Sequence, residues 1–122
     1  MNIAVSKKDF VRFAGVVKEL HHARQKHPKF CIALLSDDVS LDELKRLENE
    51  ARECCEAYPV AWNIIAEEEI EAFVKAREGD FAGAWCEFAQ VAAVAMRCME
   101  ECDKRSKVHR RDVFGTAKEN GK

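Results

Sequence analysis

The apolar positions of this chain fall into four stretches of helical spacing, each opened or closed by a residue that caps or breaks a helix. Ser6 with Asp9 reads as an N-terminal cap, and Phe10, Phe13, Ala14, Val17 and Leu20 follow three and four residues apart. Pro28 disfavours helical geometry in the residue before it, so this helix is expected to stop near His27. Residues 28–39 read as a loop. Ser40 and Glu43 then form an S-x-x-E capping box, and Leu41, Leu44, Leu47, Ala51 and Cys54 line one face of a second helix. Pro59 suits the first turn of a third helix running to about Glu78. Gly79 can end that helix and Asp80 can cap a fourth, from Phe81 to about Lys104. The expected fold is all-α: a small bundle of about four helices whose last two, about 60–78 and 81–104, form an antiparallel hairpin. Residues 1–104 are expected to make a single helical domain, and 105–122 a basic, extended or partly disordered tail.

The fourth stretch changes the picture, because Phe88 to Met96 reads FAQVAAVAM and is apolar on every side except at Gln90. A helix of that kind is normally central, packed on several neighbours or on another subunit. At nine residues the run is far short of the roughly 20 that span a bilayer, so no membrane association is expected. The start, MNIAVSKKDF, has no apolar segment with a cleavage site, so the expected location is cytoplasmic and the six cysteines read as reduced thiols. A composition of 48% hydrophobic and 34% charged residues is that of a globular chain of 122 residues. A net charge of −2 gives no electrostatic case for general nucleic-acid binding.

Candidate chemistry lies across the third and fourth helices. Glu67, Glu68, Glu69 and Glu71 crowd into five residues at mid-helix, where neighbouring carboxylates repel. Folding the chain at Gly79 brings residues equidistant from the turn to similar heights. Glu71 and Glu87 are each eight residues from Gly79, and Glu68 and Gln90 are each eleven. Three carboxylates and an amide oxygen can therefore converge between two helices. Buried like charges need compensation, and an all-oxygen set without His or Cys suits a hard divalent cation, Mg²⁺ or Mn²⁺. The plainer reading makes Glu67 to Glu71 a solvated helix face, with Glu87 paired to Arg97 or to a lysine.

The motif W-x-I-I-x-E-E-x-x-E, at Trp62, Ile64, Ile65, Glu67, Glu68 and Glu71, resembles the first acidic motif of MazG-like all-α nucleotide pyrophosphohydrolases. Gly79–Asp80 and then E-x-x-Q-V-A-A-V-A-x-R, from Glu87 to Arg97, resemble their second motif. The stretch A-R-x-K-H-P-x-F, from Ala23 to Phe30, is similar to the N-terminal portion of small phage and bacterial relatives. The resemblance covers residues 16–30 and 60–101. It implies Mg²⁺-dependent cleavage of a nucleoside triphosphate to its monophosphate and pyrophosphate. It also implies that Glu68, Glu71 and Glu87 are metal ligands and catalytic, with Glu67 a ligand or the partner of one. The usual second motif is E-x-x-D. Gln90 stands at the aspartate position here; its oxygen can still ligate a metal, but it carries no charge and cannot act as a base. A register shifted by one would make Glu68 and Glu69 the paired acids and put Ala72 at the third. The register anchored on Trp62 and Ile64–Ile65 keeps all three acids.

Arg97, Lys75 and Trp62 are the candidate substrate-binding residues. For Arg97 the plainer reading is a structural ion pair. Trp62, Trp85, Phe81 and Phe88 read first as core, with a tryptophan able to flank a base. Cys54, Cys55 and Cys86 read as small core residues. His21, His22 and His27 with Lys26 read as a solvated helix end. Cys98 and Cys102 with His109 lack the fourth ligand and C-x-x-C pair of a zinc site. The expected partners are a nucleoside triphosphate and a second or further copy of the chain, as a dimer or tetramer. The alternative is a non-catalytic helical interaction protein that keeps the fold without turnover. A third possibility is a nucleic-acid adaptor using Lys104, Arg105, Lys107, Arg110 and Arg111.

Overall fold

The computed structural model describes residues 3–30 and 39–106. Every element among them is an α-helix: α1 (Lys7–Lys26), α2 (Leu41–Ala57), α3 (Ala61–Arg77) and α4 (Phe81–Ser106). None is long and apolar enough to cross a membrane. The caps explain the boundaries. The Ser6 hydroxyl accepts from the Asp9 N–H at 3.0 Å, and the Ser40 hydroxyl accepts from the Glu43 N–H at 3.1 Å. Each occupies one of the N–H groups that a helix start leaves unpaired. Asp80 does the same for α4, its carboxylate accepting from the Gly83 N–H at 2.9 Å. Gly79 follows α3 at φ +86°, a left-handed conformation that costs glycine nothing.

Two boundaries differ from expectation. Val60 is the N-cap of α3, so Pro59 lies just outside the helix and not in its first turn. Its fixed φ restricts the chain entering the cap. The fourth helix runs to Ser106, two residues past Lys104, its last turn carrying Lys104 and Arg105 where cations favour the carbonyl end. The segments 31–38 and 107–122, and with them most of the expected loop, most of the expected tail and His109, lie outside the described residues.

The chain divides into two compact units. In the first, residues 1–30 with 99–122, α1 meets the end of α4 through Arg12. This guanidinium is buried at 7% exposure, and donates to Asp103 and Asp9, each at 2.9 Å. The Asp103 contact ties α1 to the end of α4, and Asp9, on α1 itself, holds the guanidinium in place.

In the second unit, residues 31–98, α2 packs on α3, and α3 turns back into α4. Its buried apolar residues are Leu44, Ala72, Val74 and Ala84. Phe73 and Phe88 meet edge to face across the hairpin, their centroids 5.3 Å apart. Lys45 ties α2 to the end of α3 through Glu78 at 3.0 Å. A Cβ at Gly83 would crowd the Lys75 stem, 2.9 Å from its Cδ, and the Asp80 carboxylate that caps α4, so both side chains would have to give way. The aromatic expectation is corrected here: Phe88 packs, whereas Trp62, Trp85 and Phe81 are exposed at 84%, 71% and 60%. Cys54 and Cys86 are also exposed and Cys55 is half-buried, so the small-core reading fails for the first two.

Candidate metal centre

Glu68 and Glu71 lie one turn apart on α3, and Glu87 comes from the facing side of α4. One carboxylate oxygen of each lies within 4.8 Å of the other two. All three are partly buried. Glu69, between them in sequence, is exposed, and Ala72 is wholly buried. Helical phase thus turns Glu68 and Glu71 inward and sends Glu69 out.

Electrostatic cost is visible at each acid. Burial pushes the Glu71 carboxyl up to about 7, assisted by its hydrogen bond with Glu87 and by the charges of Glu87, Glu67 and Glu48. Glu68 is also raised, chiefly by burial and by the charges of Glu71 and Glu67, while a hydrogen bond from Glu87 works the other way. The Glu87 Oε2 atom is buried without a hydrogen-bond partner. A buried carboxylate oxygen left unpaired costs free energy, and a cation or a proton is what it lacks.

Gln90 sets its amide against Glu68. Nitrogen inward, it donates to both carboxylate oxygens; oxygen inward, it adds an uncharged acceptor oxygen to the acidic set. Glu67 faces α2, where Arg52 lies 3.9 Å from it and 3.7 Å from both Glu71 and Glu48. Arg52 therefore compensates part of the acidic charge from outside the three-carboxylate cluster. Glu67 also raises the Cys55 thiol, after the larger effect of burial.

The sequence alone does not mark Arg52 and Glu48 as neighbours of the acidic cluster. The available signal was their i,i+4 spacing on the same turn-facing side of α2 as Leu44, but which helix α2 would face is a tertiary matter. The structure does not bring the substrate-binding candidates into the cluster. Trp62 is in the first turn of α3, about 9 Å along the axis from Glu68, and is open to solvent. Arg97 lies two turns, about 10 Å, beyond Gln90, is exposed, and makes no ion pair among the described residues. Lys75 is one turn beyond Glu71 and half-buried, its stem against Gly83.

The donor set fits a hard divalent cation: three convergent carboxylates, one unsatisfied oxygen and an adjacent amide, with no sulfur or imidazole. No family model, curated protein or solved structure matches this chain.

Proposed function

We propose that this chain is a Mg²⁺-dependent nucleoside triphosphate pyrophosphohydrolase, cleaving an NTP or dNTP to its monophosphate and pyrophosphate. The observation that carries the reading is the unpartnered Glu87 Oε2 inside a cluster whose other two acids are both raised. The acidic motifs around it resemble those of the MazG-like group. Glu68, Glu71 and Glu87 would hold the metal, with Gln90 completing or orienting the set through Glu68. A bound Mg²⁺ or Mn²⁺ supplies phosphate-charge screening and a more acidic water. In the overall reaction an oxygen from water joins the α-phosphorus as the bond to the bridging oxygen breaks, and pyrophosphate leaves. Arg52 holds Glu67 and Glu71 from the α2 side, which limits their rotation. Lys75 and Arg97 are long cations on the two helices of the hairpin, able to meet phosphate oxygens distant from the metal.

A non-catalytic helical protein is the second reading, and Gln90 favours it. With its amide nitrogen inward, Gln90 satisfies Glu68 internally and removes one acid from the set.

Pyrophosphate release from a panel of ribo- and deoxynucleoside triphosphates, with Mg²⁺ or Mn²⁺, separates the two. Metal-dependent turnover is expected in wild type, reduced at least about 100-fold in Glu68→Gln and Glu87→Gln, whose folds are checked by circular dichroism. Absence of turnover on every nucleotide by the folded protein refutes the enzyme reading.

A further inference from the structure

Among the described residues, Arg52 is the only cation ion-paired with one of the three acids of the cluster. Its Nη2 lies 3.7 Å from Glu71 and from Glu48, and its Nε lies 3.9 Å from Glu67. These are charge contacts, too long for hydrogen bonds. Of the five N–H donors on a guanidinium, one on Nη1 is used within the described residues, donating to Asn49 Oδ1 at 3.0 Å. The side chain is 42% exposed, so its Nε–Nη2 edge stands beside the acids with solvent in reach.

Arg12, in the other unit, shows how this chain builds a structural arginine. It is buried and donates to Asp103 and Asp9 at 2.9 Å each. Arg52 has neither the burial nor the short bonds. A guanidinium fork binds most strongly when two of its N–H groups meet two oxygens of one carboxylate or phosphate. The acids around Arg52 do not offer that, since each contributes a single distant oxygen.

We propose that Arg52 binds the diphosphate end of the nucleoside triphosphate, the part that leaves as pyrophosphate; this rests on reading the cluster as a divalent-metal site. Glu71 belongs to the cluster and also neighbours Arg52, so the guanidinium and the metal position are separated by a single carboxylate. Glu71 cannot give its full charge to both. When it ligates a cation, Arg52 is left with less compensation and with its Nε–Nη2 edge available to phosphate oxygens. Charge makes the same demand. Glu48, Glu67, Glu68, Glu71 and Glu87 carry up to five negative charges, which repel a polyphosphate; a divalent cation and Arg52 together offset three of them. Arg52 is thus placed for this contact by α2, a helix outside both acidic motifs.

Titrating the full chain with inorganic pyrophosphate in saturating Mg²⁺, by calorimetry, tests this without turnover. Circular dichroism checks the fold of each variant. Arg52→Gln should weaken pyrophosphate binding about tenfold or more, and Arg52→Lys, which keeps the charge without the fork, should recover only part of that loss. Arg46→Gln removes the same charge from α2 at a side chain paired with Glu43 and Glu50, and should leave pyrophosphate affinity within about twofold. Mg²⁺ alone should bind Arg52→Gln no more weakly than wild type, so a damaged ligand set cannot imitate the result. Unchanged pyrophosphate affinity in Arg52→Gln overturns the proposal. So does an equal loss of Mg²⁺ and pyrophosphate, which marks a purely structural role. A loss in Lys75→Gln or Arg97→Gln without one in Arg52→Gln puts the diphosphate elsewhere on the hairpin and overturns it as well. Wild type that binds Mg²⁺ but not pyrophosphate overturns the phosphate role while leaving the metal centre; wild type that binds neither overturns the nucleotide reading and this proposal with it.

Discussion

The folded chain is expected to be strained by its own acidic cluster, and Glu71 measures that strain. Its carboxyl titrates near 7 in the folded chain against an ordinary value of 4.5. Between those values the folded state holds a proton that the unfolded state has released. Stability therefore falls as pH rises through this window and is recovered as pH drops towards 4.5. The gap corresponds to roughly 3.4 kcal/mol at 1.36 kcal/mol per pH unit. Glu71 keeps 22% of its side chain in solvent, and screening brings the figure to about 2 kcal/mol. Glu71→Gln preserves shape and removes the titration. In EDTA at pH 8 the variant should be more stable than wild type by about 2 kcal/mol, and the difference should close below about pH 5. With a slope near 1.5 kcal/mol per molar urea, the unfolding midpoint moves up by about 1.3 M. The lost contact with Arg52, long at 3.7 Å and partly exposed, is worth under about 0.5 kcal/mol and cannot reverse the sign. A variant that is less stable at pH 8, or a difference that ignores pH, refutes the reasoning.

Further outcomes follow from the same geometry. Glu68→Gln and Glu87→Gln should lose both pyrophosphate release and the thermal stabilisation that Mg²⁺ or Mn²⁺ gives wild type, read by a melting series against metal concentration. Arg52→Gln removes a cation lying within 4 Å of Glu48, Glu67 and Glu71; divalent-metal affinity should rise about fivefold by calorimetry, and an unchanged or lower affinity would mean that Arg52 supports the ligands more than it competes with the metal. Gly79→Ala should cost about 1 kcal/mol, because a Cβ there meets no neighbour and only the positive φ is strained. Gly79→Asn should cost less, since asparagine tolerates that conformation, and equal losses would place the penalty elsewhere.

The helices were legible because their boundaries are local events. Ser6 with Asp9, Ser40 with Glu43, and Gly79 with Asp80 each act over three or four residues, and all perform the capping or terminating role that their types suggest. The convergence of Glu68, Glu71 and Glu87 was legible too, since a tight turn makes facing heights a matter of counting from Gly79. What was hidden is whatever depends on a third element. Periodicity says that Phe81 and Trp85 share a face, but it does not say whether anything covers that face. Likewise Arg52 and Glu48 look like an ordinary helix-surface pair until α2 lies on α3 and turns both towards the acids.

The tight turn at Gly79 also gives the hairpin a rule of length. Adding one residue to α4 ahead of Glu87 would rotate that carboxylate by 100° and carry it about 1.5 Å along the axis, out of the cluster. About three or four residues, one turn, bring it back to the same face, and about seven, two turns, bring it closer still; the matching height then requires as many more on α3. Through the bodies of its two helices, the segment from Glu71 to Glu87 can lengthen only in paired whole turns, about seven or about fourteen residues in all. Extra residues at the junction itself would spread the helices before they reached the acids. A single residue added within either helix between Glu71 and Glu87 should therefore disperse the three carboxylates.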